Sequence, residues 1–101
     1  MSNVNKKFKF HSDAGHGWLA VKISLIKQLG LTYEISPYSY VKGQTAYLEE
    51  DSDRSKFVIA YRAKYGCEPE IDELPSKDRS PIRSFERFEP FNVVDQTYNS
   101  Y

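Results

Sequence analysis

Apolar and polar residues alternate at the start of the chain, and the period changes as it proceeds. Lys7-Phe8-Lys9-Phe10-His11 repeats every second residue, the mark of a half-buried strand. Ser12 to Gly17 supplies two glycines and turn formers, and so predicts a tight loop. Trp18 to Val21 then forms a second short strand or leads directly into a helix. Val21, Leu25 and Leu29 recur every four residues, which predicts a helix over 22–29 that Gly30 ends. Residues 35–40 and 45–49 read as the two strands of a hairpin around Val41-Lys42-Gly43-Gln44, with Pro37 marking an edge or bulge. Asp51 or Ser52 caps a second helix whose stripe is Phe57, Tyr61 and Tyr65 with Val58, closed by Gly66. Residues 67–81 hold three prolines among many acids and predict an extended surface connection. Ile82, Phe85 and Phe88 fit one face of a short helix or a bulged strand.

This order predicts an α+β domain: a small antiparallel sheet with a central β-hairpin and one or two helices packed on it. The expected boundaries are a flexible N-terminus at 1–6, a single domain at 7–91 and a polar tail at 92–101. With 101 residues, about two-thirds of the surface of the unfolded chain can be buried, enough for one core without disulfides. The mean hydropathy is −0.64, but 40% apolar residues argue against wholesale disorder. No apolar run approaches the ~20 residues of a membrane span. Cys67 stands alone, which favours a reducing, cytoplasmic setting.

Charge adds an asymmetry that the net value of zero conceals. Residues 1–30 carry five lysines against Asp13, residues 31–75 are acidic, and residues 76–101 balance. No segment is a dense Lys/Arg run, so nucleic acid is not the favoured partner. Eight tyrosines are the compositional excess, and Tyr38, Tyr40 and Tyr47 fall in the predicted hairpin. On a regular strand Tyr38 and Tyr40 share one face.

Candidate chemistry gathers around the glycine loop. His11-x-Asp13-x-x-His16 has the ligand types of a zinc site, with Glu49, Glu50 or Asp51 to complete it, but its spacing matches no established motif. The competing reading has Asp13 capping the turn and His16 bonding the loop, and on that reading no metal, cofactor or catalytic residue is assigned. Trp18, Tyr38, Tyr40 and Tyr47 can stack on a base, and Arg83 and Arg87 can take phosphate in bidentate fashion. Core packing is the competing role for at least half of these aromatics. Asp13, His16, Trp18, Tyr38, Tyr40, Tyr47, Arg83 and Arg87 are therefore the candidate ligand-binding residues. Glu49 to Asp53 reads as a charged helix start, and Cys67 lacks the electropositive neighbours of a reactive thiol.

The segment from Ser12 to Val21 resembles the opening of small uncharacterised proteins of bacteriophages and mobile elements. Ser36 to Tyr40, Ala46 to Asp53 and Ile82 to Glu86 extend the resemblance in the same order. It implies an accessory protein acting inside a bacterial cell by binding, as an antagonist of a host defence component. The expected ligand is a host protein or a nucleotide-like small molecule, with no membrane involvement. A metal-dependent hydrolase built on His11, Asp13 and His16 is the alternative.

Overall fold

A computed structural model describes residues 7–93. The expectations for residues 1–6 and for the tail from 94 onward, including Tyr98 and Tyr101, lie outside the described residues. The chain is α+β. Strands β1 (Lys7–Ser12), β2 (Gly17–Lys22), β3 (Tyr40–Lys42), β4 (Thr45–Glu49), β5 (Glu70–Glu73) and β6 (Glu86–Arg87) form one sheet in the order β5-β1-β2-β4-β3-β6. Helices α1 (Ile23–Gln28) and α2 (Asp53–Tyr65) and a 3-10 helix at Pro81–Ser84 complete these elements. The chain turns helical again from residue 90.

The sheet is mixed rather than purely antiparallel, because β5 adds to β1 in parallel, Phe8 opposite Ile71 and Phe10 opposite Glu73. Residues 67–81 therefore contain a strand that their acids and prolines hide. The predicted hairpin is present as β3 and β4, turning at Gly43 (φ 60°), but β3 begins only at Tyr40. Residues before it follow turns instead of a strand, so Tyr38 and Tyr40 are not alternating members of one strand face.

Alternation sorts the sheet into two faces. Phe8, Phe10, Leu19, Val21, Ala46 and Leu48 are buried in one core with Phe57 and Tyr61 of α2. Phe8 meets Phe57 edge-on at 5.2 Å, and burying a ring of this kind contributes about 2 kcal/mol. Val93 is also fully buried in this core. In α1 the buried residues are Ile23 and Ile26, while Leu25 and Leu29 only flank the core, since β2 runs to Lys22 and shifts the helix phase. Its end is a Schellman closure: Gly30 N–H (φ 73°) donates to the Lys27 carbonyl and Leu31 N–H to that of Ile26.

Because β5 and β6 are opposite edges, the chain between them must cross the whole sheet. Arg83 lies over Trp18 and Phe85 beside Tyr47, which places this strap, residues 74–85, on the face away from α2. Trp18 and Ile82 are buried there, outside the main core.

Candidate functional site

The loop between β1 and β2 is built around one carboxylate. Asp13 N–H donates to the His16 carbonyl at 2.9 Å, closing the turn. Its Oδ1 accepts from the N–H groups of Gly15 and His16, both at 3.1 Å. The same side chain binds the strap: Oδ2 accepts from Ser80 N–H at 2.9 Å and Arg83 Nε at 2.6 Å, and Oδ1 from Arg83 Nη2 at 2.8 Å. The Arg83 guanidinium, followed by the Ser80 N–H, holds the Asp13 carboxyl well below the usual carboxylate range. With five donors on two oxygens, no lone pair of Asp13 remains for a metal. Among the described residues no group of three His, Cys, Asp or Glu side chains is placed to hold a metal ion.

Arg83 also donates Nη2–H to His16 Nδ1 at 2.9 Å, which leaves the His16 proton on Nε2. The His16 ring stacks on Trp18 at 5.9 Å and 19°, and the Arg83 guanidinium lies 5.8 Å from the same indole. Trp18 is 2% exposed, so it is the floor of the site and offers no free face for stacking. Gly17 is obligatory beside it: a Cβ there would overlap the Phe10 ring and the Glu50 carboxylate.

A second carboxylate builds the opposite wall. Asp53, at the start of α2 and fully buried, accepts from Ser36 N–H at 3.0 Å, Ser36 Oγ at 2.7 Å and Ser39 Oγ at 2.6 Å. Ser39 Oγ in turn accepts from Glu49 N–H at 2.9 Å, stitching residues 36–39 to β4. Lys56 balances the charge at 3.3 Å. Ser52 is the residue before the helix, yet its side chain makes no capping bond. This network holds Tyr38 outward, 72% exposed, and Tyr40 with its ring 6.2 Å from Trp18. Arg87 lies 5.6 Å from the Tyr40 ring, tethered by Nη1–H to the Pro37 carbonyl at 2.9 Å, and makes no ion pair among the described residues.

Between these walls is a cleft of about 650 Å³. Six of the eight candidate residues line it: His16, Trp18, Tyr38, Tyr40, Arg83 and Arg87. Asp13 lies behind it as the clamp. Tyr47 is elsewhere, in contact with His11 and Phe85. The acidic run divides, with Glu49, Glu50 and Asp51 on the cleft rim and Asp53 in the wall. Ser36, Ser39 and Asp53 are the residues that sequence reasoning missed. Their types suit turns and helix starts, and nothing in the order of residues couples Ser36 to a carboxylate 17 positions later.

No helix among the described residues is long and apolar enough to cross a membrane. Comparison with protein-family models, curated proteins and solved structures found no match.

Proposed function

We propose that the protein acts by binding, and that the cleft takes a nucleotide-like ligand as part of a phage or mobile-element function inside a bacterial cell. The observation that carries this reading is Arg87. It is a guanidinium without a carboxylate partner among the described residues, laid on one exposed-side tyrosine and tethered beside another at the mouth of a cleft. Its volume lies in the range of small-molecule sites. Arg87 offers its remaining N–H groups to a phosphate, Tyr38 offers a ring to a base, and Glu49 to Asp51 accept from amino or hydroxyl groups across the cleft. Arg83, already neutralised by Asp13, shapes the floor rather than binding the anion.

Thermal unfolding across a panel of mono-, di- and cyclic nucleotides tests this. A ligand present at 100 times its Kd stabilises by about 2.7 kcal/mol, a shift of roughly 10–20 °C. Arg87→Ala should abolish that shift while leaving the unliganded transition in place. If no nucleotide moves the transition, the reading fails. A protein partner is the second reading, favoured by the exposure of Tyr33 and Tyr38 (75% and 72%) in the one segment. Capture of a host defence protein through wild type but not through Tyr38→Ala would support it instead.

A further inference from the structure

The sheet face away from α2 carries a second aromatic surface, which shares no residue with the cleft. Half-buried His11, Tyr47 and Phe85 form a continuous row: His11 to Tyr47 at 5.8 Å and 67°, Tyr47 to Phe85 at 5.3 Å and 58°. Lysines frame the row. Lys9 is two residues from His11 on β1 and therefore on its face. Lys22 and Lys42 are both in register with Thr45, two positions from Tyr47, and Lys42 Nζ lies 5.0 Å from the Phe85 ring. Lys77 is held nearby by its N–H bond to the Ser12 carbonyl. None of these four lysines makes an ion pair among the described residues. The acids on this face are Glu49, at the cleft, Asp13, already paired with Arg83, and Glu70 and Asp72 on the β5 edge, Asp72 opposite Lys9, while Asp78 lies in the strap next to Lys77. Burial, with Lys9 and Lys77, pushes the His11 pKa down and so favours its uncharged ring.

We propose that this face, with His11, Tyr47 and Phe85 as stacking rings and Lys9, Lys22 and Lys42 as phosphate contacts, binds single-stranded nucleic acid. Adjacent rings between cations match unpaired bases strung on a phosphate backbone. A duplex keeps its base faces stacked inside and presents nothing for these rings to meet. The sequence holds no basic run because the fold assembles the patch from residues 9, 22, 42 and 77.

Fluorescence anisotropy with labelled oligo-dT and oligo-rU, against a duplex of equal length, tests the proposal. Single strands should bind at least tenfold tighter than duplex. With three phosphates neutralised, affinity should fall about 18-fold between about 50 and 200 mM salt. The Lys22→Ala/Lys42→Ala variant changes only exposed side chains, and should flatten that salt dependence to roughly a third of its slope. Tyr47→Leu should weaken binding about tenfold at every salt concentration. Lys64→Ala, on the exposed side of α2, should change nothing. The proposal is overturned if no single strand binds at about 50 mM salt, if duplex binds equally well, or if Lys64→Ala weakens binding as much as the double variant.

Discussion

Under α2 the sheet is finished with apolar side chains alone: Phe8, Phe10, Leu19, Val21 and Leu48 meet Phe57 and Tyr61 with almost no exposure. On the other face Trp18 and Ile82 are sealed by a strap whose position depends on Asp13, Ser80 and Arg83. Non-directional burial tolerates variation in shape and supplies stability. Directional bonds to a buried carboxylate contribute less than the apolar core but set the position of the strap. The face that must be accurate is therefore the one on which the cleft and the exposed rings lie.

Removing the largest contribution from the α2 face should produce the largest effect. Phe57→Ala should cost about 3–5 kcal/mol in denaturant unfolding; a loss below 1 kcal/mol would erase the contrast between the faces. Gly17→Ala attacks the seam between them, and overpacking against Phe10 and Glu50 should cost about 3 kcal/mol. Asp13→Asn should lower Tm by about 5–10 °C at pH 7 and release the strap, read as faster proteolysis within residues 74–85. The depressed native pKa of Asp13 means that its contribution is complete above about pH 3.9 and is lost as pH falls from there toward the native value. Wild type and Asp13→Asn should therefore converge on acidification. The smallest effect belongs to His11, held below the usual imidazole range by burial, Lys9 and Lys77. The unfolded chain binds more protons at this position, so stability is full above about pH 6.5 and declines as pH drops below it. Tm should decline as pH falls below about 6.5, and His11→Gln should remove that slope.

The same contrast governs what could be read from sequence. Phe57, Tyr61 and Tyr65 at helical spacing, the Thr45–Glu49 strand and Gly66 in the left-handed conformation (φ 74°) were legible because each depends on local rules. Residues 70–73 were not: Glu-Ile-Asp-Glu has poor strand propensity and becomes a strand only because β1 offers an edge. Asp13 was legible as a turn residue and illegible as a partner of Arg83, 70 positions away. The cleft was half legible. Its rings and cations announced themselves by type, whereas the Asp53 network that aims Tyr38 outward required the fold. The regularity assumed for residues 35–40 failed because Asp53 draws Ser36 and Ser39 into turns.

The edge-to-edge course of residues 70–87 also sets an order in time. A chain emerging from the ribosome can zip β1, β2, β3 and β4 together from neighbouring segments, but both borders of the sheet come from its last third. Until then β1 has an open side, where its parallel partner arrives 63 positions later, Lys7 to Glu70. Pairing over such separations is slow, and an open strand edge during that interval invites association with other chains. Three of the four β5 residues are acidic. The finished border therefore repels a second copy, and the period of risk closes when the last segment docks.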